Sequence, residues 1–291
     1  MAMHLSEVEA FFVQKLADAD EAKRHKAFKV LQKWMKEQSK STGLDSDSLN
    51  RLCKGIHAMM WMQAKPIPQE DLAEQIVLIH TKLESEQEKV DFFYQMLLVI
   101  NNELMKTDKH RLDKFLMVVR RLFRQIFKIV QESGWSEEMS NQYLELLDQR
   151  IFHSTDKKFT ETMLGHLISV YMDEFDKAVR EGILPEKDLG KWFEVFFKLL
   201  KKPKTSDYLF DLTVKDIFEG IIIVLEAGVN KDDDENEVQA FGLYQAGVKV
   251  ITAALFEIAK SPTFKHKRRT ALYELCEKLE LAAKKGVEVT V

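Results

Sequence analysis

Glycine and proline are scarce in this 291-residue sequence, eleven and five respectively, and there are only two cysteines. All-β chains consume turn residues and doubly wound α/β chains need glycine-rich strand-to-helix loops, so this scarcity points to long elements joined by few turns, which means helices. Cys53 and Cys276 stand far apart with no pairing pattern, which excludes a disulfide scaffold and a CxxC metal or redox motif and fits a reducing interior. The opening MAMHLSEVEAFFVQKL lacks a basic start followed by an apolar stretch. No run reads as the roughly 18 apolar residues of a membrane span, so neither secretion nor membrane contact is expected.

What is present is a chain with 45% hydrophobic and 31% charged residues, too apolar to be disordered and long enough to bury a large core. Apolar periodicity, read with start and stop signals, predicts helices near residues 6–19, 20–39, 45–63, 67–83, 87–106, 110–133, 136–153, 157–181, 185–201, 206–228, 236–260 and 266–285. In FLMVVRRLFRQIFKIV, Phe115, Val119, Leu122, Ile126 and Val130 recur at three and four residues, leaving Arg120, Arg121, Arg124 and Lys128 on another face. DIFEGIIIVLEAG, residues 216–228, is apolar nearly all round and is expected to lie deep. Short connections make successive helices antiparallel neighbours, so the expected fold is all-α, an α-solenoid of stacked antiparallel helix pairs of HEAT or armadillo type. The whole chain, 1–291, reads as a single helical-repeat domain interrupted by an exposed acidic loop at about 229–237.

The net charge of −4 conceals clusters. Basic groups gather at residues 23–26, 109–111, 201–204 and 265–269, and acidic groups at 232–237. The acidic loop fails as an EF-hand, because a start at Asn230 or Asp232 puts Glu235 or Glu237 where glycine is required and Phe241 or Leu243 where the bidentate glutamate is required. Asp233 to Glu237 does fit DDxxE, which resembles the Mg²⁺-diphosphate motif of all-helical prenyl-transferring enzymes. The nearest second acidic motif, Asp173 to Asp176, has the wrong spacing, so that enzyme is a remote alternative to a solvated loop. No P-loop, GxGxxG, HExxH or GxSxG motif occurs, and His57, His80 and His166 stand singly within predicted helices, read as packed or solvated rather than as ligands. No catalytic residue, cofactor, metal or small-molecule substrate is expected.

Arg120, Arg124 and Lys128 form an i, i+4, i+8 row in which like charges repel by roughly 0.2–0.5 kcal/mol per pair, so the row needs compensating anions. A neighbouring helix can supply them as Asp or Glu, or the phosphates of an RNA can. Lys265, Lys267, Arg268 and Arg269 open the last predicted helix, where positive charge opposes the helix dipole. With Arg121 these are the candidate RNA or partner contacts. Neither patch has interleaved aromatics, so any RNA contact is to backbone and shape. The stretch KGIHAMMWMQAKPIPQEDL raises a separate question, because Met59, Met60, Trp61 and Met62 are consecutive and point in different directions around a helix. Lys65 and Pro66 then stop that helix. Met60, Trp61, Met62, Lys65 and Pro66 read as a packing corner with Trp61 between helices, or as a Met-rich partner surface.

Two strings carry a family resemblance: KG with MWMQ and KP (Lys54, Gly55, Met60, Trp61, Met62, Gln63, Lys65, Pro66), and RLDKF with VR (Arg111, Leu112, Asp113, Lys114, Phe115, Val119, Arg120). With them the sequence resembles the eukaryotic ribosomal RNA-processing protein 1 family, nucleolar proteins of the large-subunit precursor pathway. The similarity runs from about Ala22 to Gly286, and KRRTALYELCEKL at 267–279 is similar to the family's closing helix. Members differ in carrying a Trp where Leu104 stands and, in some, a long basic C-terminal tail. The resemblance implies a non-enzymatic nuclear and nucleolar assembly factor for rRNA processing in the preribosome, with other large-subunit assembly factors and pre-rRNA backbone as partners. The alternative is a helical-repeat protein-interaction scaffold outside ribosome assembly.

Overall fold

The computed structural model describes residues 5–228, 235–261 and 264–289. Every regular element among them is helical: α1 (Leu5–Leu16), α2 (Glu21–Ser41), α3 (Ser46–Met62), α4 (Pro66–Val77), α5 (Glu86–Leu104), α6 (Lys109–Glu132), α7 (Glu137–Glu145), α8 (Glu161–Glu181), α9 (Leu189–Lys201), α10 (Asp207–Leu212), α11 (Glu219–Ala227), α12 (Glu235–Ala259) and α13 (His266–Val289). The all-α expectation is met, with most boundaries within a few residues. The expected acidic loop lies largely outside the described residues, and its last members, Glu235 to Glu237, form the first turn of α12.

Side chains at the helix starts explain where the helices begin. Asp20, Asp45, Ser136, Thr160 and Ser206 each accept hydrogen bonds from backbone N–H groups of the first turn, and Ser85 with Glu88 forms a capping box at α5. Pro66 occupies the first position of α4, where its missing N–H costs nothing. Gly134 and Trp135, both at positive φ, turn the chain between α6 and α7. Trp135 holds that unfavourable conformation because its ring is buried and its indole N–H donates to Gly182 O.

The chain clusters into two compact units, Met1–Gln125 and Ile126–Val291, whose boundary falls inside α6 with no linker. In the first unit α3 packs against both α1 and α5, while α2 packs against the 3₁₀ segment Leu78–Lys82 that extends α4. In the second, α9 packs on the π-helical segment Leu146–Phe152 that follows α7 and on α12, whereas α8 packs on α10 and α11 packs on α13. Contacts that skip one helix are what successive helical hairpins produce when they stack. The core of the second unit is aromatic: Trp192 is fully buried and lies edge-on to Phe127 and Trp135 at 5.8 and 5.5 Å.

Three expectations need correction. Residues 206–228 are not one helix, since α10 and α11 are joined by a π-helical segment, Thr213–Phe218, where Thr213 Oγ1 donates to Leu209 O at 2.6 Å. Nor is this stretch deep: α11 buries Ile221 and Leu225, while Ile223 is 69% exposed. Its neighbours, α12, α13 and the π segment, leave the Ile223 side uncovered. Finally, among the described residues α12 is, by length and composition, apolar enough to cross a membrane, with a mean hydropathy of 1.2 over its best window. That apolarity is spent on packing against α8, α9, α11 and α13.

Candidate functional site

α3 buries Leu52, Cys53, Ile56, Met59 and Met60. Gly55 sits where α1 crosses, since a Cβ there would lie 3.0 Å from Val13 Cα and 3.1 Å from Leu16 Cδ1. The last turn of α3 then meets the first turns of α6. His57 stacks on Phe115, centroids 4.4 Å apart and planes at 14°. Trp61 lies 6.1 Å from Phe115 and 6.3 Å from His57, and the Arg111 guanidinium covers its ring at 4.8 Å. The MWMQ and RLDKF strings therefore meet at a single corner.

The end of α3 leaves carbonyl groups without helical partners. Lys114 Nζ donates to Trp61 O at 2.8 Å and to Gln63 O at 2.9 Å. Gln69 Nε2, from α4, donates to Gln63 O at 2.9 Å and Ala64 O at 3.1 Å. A cation is favourable at a helix C-terminus, yet Lys114 is only 6% exposed. Burial, reinforced by the charge of Arg111 and opposed by Asp108, pulls the Lys114 ammonium down to about 8. Burial also pushes the His57 imidazole down to about 4, with Glu103 opposing and Lys114 adding to the shift. At neutral pH Lys114 is mostly charged and His57 is neutral.

Beside these groups lies a recess of about 470 Å³, lined by Trp61, Met62, Gln63, Gln69, Arg111 and Lys114 among others. Met60 is buried, Trp61 half-buried and Met62 exposed, so the stretch is a packing corner on one side and a surface on the other. Lys65 and Pro66 are exposed at the start of α4, and Ile67 beside them is 76% exposed.

The basic candidates fall into different situations. Arg121 reaches α4, donating to Glu70 O at 2.7 Å and pairing with Glu74 at 2.9 Å, so a neighbouring helix supplies its anion. Lys128 pairs with Glu132 at 3.8 Å along α6. Arg120 is half-buried and Arg124 exposed. On α13, Arg268 is buried, pairs with Asp207 at 2.6 Å, donates to Thr205 O at 2.6 Å and stacks over Phe210 at 4.7 Å. Arg269 is half-buried and donates to Phe264 O at 3.2 Å, while Lys265 and Lys267 are exposed. Of the acidic groups weighed for Mg²⁺, Asp233 and Asp234 lie outside the described residues, and Arg180 pairs with both Asp176 at 2.8 Å and Glu237 at 3.8 Å.

The family model described as "Nucleolar protein, Nop52" matches residues 7–275. The chain belongs to the Nop52 family. It is similar to a Caenorhabditis elegans protein named ribosomal RNA processing protein 1 homolog, 34% identical over 98% of this chain and 70% of that one. It is also 29% identical to the human homologs A and B, covering 77% and 76% of this chain but 49% and 29% of theirs. The chain thus spans about half of one human relative and under a third of the other. The Nop52 match takes in the Lys114 corner, the Arg120 to Lys128 face and Arg268 alike.

Proposed function

We propose that this Nop52-family chain is a non-enzymatic assembly factor of the nucleolus that acts in ribosomal RNA processing, holding other large-subunit assembly factors and precursor RNA in position. The observation that carries the reading is the match to a nucleolar family over residues 7–275, joined by relatives named for ribosomal RNA processing. Stacked helix pairs support it, because they offer extended surfaces to several partners at once. Among the candidate basic residues Lys265 and Lys267 are exposed, which lets a phosphate reach them.

Depletion of the protein, followed by pulse-labelling of ribosomal RNA and gradient sedimentation, tests the reading. Large-subunit precursors should accumulate, and the tagged chain should sediment with them. Normal processing together with sedimentation away from precursors would instead favour a scaffold outside ribosome assembly. RNA contact is tested by cross-linking in growing cells with a folded Arg120→Glu/Arg124→Glu/Lys128→Glu variant, which should recover less precursor RNA than wild type if that face touches phosphate.

A further inference from the structure

Lys114 is a buried cation whose partners in the fold are neutral. An ammonium carries three N–H donors, and two of them are spent on Trp61 O and Gln63 O. The nearest candidate counter-charge, Asp108, is an ion-pair partner of Arg111. Among the described residues no carboxylate pairs with Lys114. Carbonyl oxygens bear only partial charge, so the desolvation of the ammonium is incompletely offset, and its lowered proton affinity is the expected sign of that. Lys114 also lines the open recess, where the third donor can be met from outside.

The rest of the recess narrows the class of anion. Met62 exposes apolar surface in its lining, and Trp61 offers a half-covered ring. Thioether and aromatic groups at such a rim suit an apolar side chain. An RNA backbone would need an array of available cations. Here the charge of Arg111 is met by Asp108 and that of Arg121 by Glu70 and Glu74. The carboxylate of Asp108, which lines the recess, would repel a run of phosphates. A single carboxylate next to an apolar side chain needs only the one cation that Lys114 supplies.

We propose that this recess docks a segment of a partner protein in which an Asp or Glu neighbours an apolar residue, the carboxylate received by Lys114 and the apolar side chain by Trp61 and Met62. The proposal rests on the scaffold reading above and names the chemistry by which the scaffold holds one partner.

The test is selection of a phage-displayed random peptide library on the purified full chain, followed by fluorescence anisotropy with one synthetic enriched peptide. Enriched peptides should share an acid beside an apolar residue, and replacing that acid by its amide should weaken binding about tenfold. Lys114→Met and Met62→Glu should each do the same. Should Lys114→Met fail to fold, Met62→Glu decides, because position 62 is exposed and the added carboxylate repels the peptide's own. No enrichment, enrichment without an acid, or binding unchanged by Met62→Glu overturns the proposal. Displacement of the peptide by poly-uridine also overturns it, by giving the recess to RNA. Loss of the peptide result while the chain still sediments with precursor RNA removes only this proposal. The converse removes only the assembly reading.

Discussion

Arg268 and Lys114 are both long cationic side chains less than a tenth exposed, both donate to backbone carbonyls, and only Arg268 meets a carboxylate. The Arg268 region is electrically closed: Asp207 neutralises the guanidinium, Thr205 O takes a second hydrogen bond and the ring of Phe210 takes its face. Lys114 also lies over a ring, that of Phe115 at 5.7 Å, but its hydrogen bonds go to two carbonyls and it lines a recess shared with Trp61 and Met62. Burial alone therefore does not tell a structural cation from one left waiting for a partner. What tells them apart is whether the fold supplies the counter-charge.

Breaking the closed site should cost more. Arg268→Met removes the ion pair, the hydrogen bond to Thr205 O and the contact with Phe210. Because Asp207 is exposed and can be solvated again, the loss should be about 2 kcal/mol in urea unfolding, below the range for a fully buried pair. Lys114→Met should cost about 1 kcal/mol, since Gln69 keeps one of the two carbonyls satisfied and an unpaired buried charge is removed.

The two sites should also respond to pH in opposite ranges. Lys114 titrates at about 8 in the fold against an ordinary 10.5, so between these values the unfolded chain holds more protons and stability rises with pH. That rise should be absent from Lys114→Met in paired thermal melts. Asp207 is held below its ordinary 3.8, first by its hydrogen bond from Arg268 and then by that charge, so its contribution is lost as pH falls below 3.8. Arg268→Met should flatten that acid limb while leaving the alkaline one. An effect of similar size, in a lower pH range, belongs to His57, neutral in the fold down to about 4 against an ordinary 6.5. Its contribution is lost as pH falls through that interval, and His57→Phe, which keeps a ring against Phe115, should lessen the slope there.

The helices were legible because their signals are local: the break at Lys65 and Pro66 that follows α3, and the apolar spacing of α6. The π segment at Thr213–Phe218 was not, because one extra residue per turn leaves the apolar pattern nearly unchanged. The half-exposed α11 was misread for a related reason, since apolar composition does not say which neighbours arrive to cover it. Trp61 was marked as a corner from its consecutive apolar run, but the role of Lys114 was hidden. A lysine between Asp113 and Phe115 looks like any solvated charge until α6 is laid across the end of α3. His57 offered one usable clue, its spacing of four from Trp61, which puts both rings on one helix face. Arg268 sat inside a basic run whose sequence does not separate it from the exposed Lys265 and Lys267.

The most direct test of this contrast is the titration of Lys114 itself, followed through the ¹³Cε chemical shift in the full chain and assigned with Lys114→Met. A midpoint near 8 is the predicted result, the mark of a buried ammonium that no carboxylate reaches. A midpoint at or above the ordinary 10.5 would mean that a carboxylate reaches Lys114 within the fold, and the two cations would then be alike.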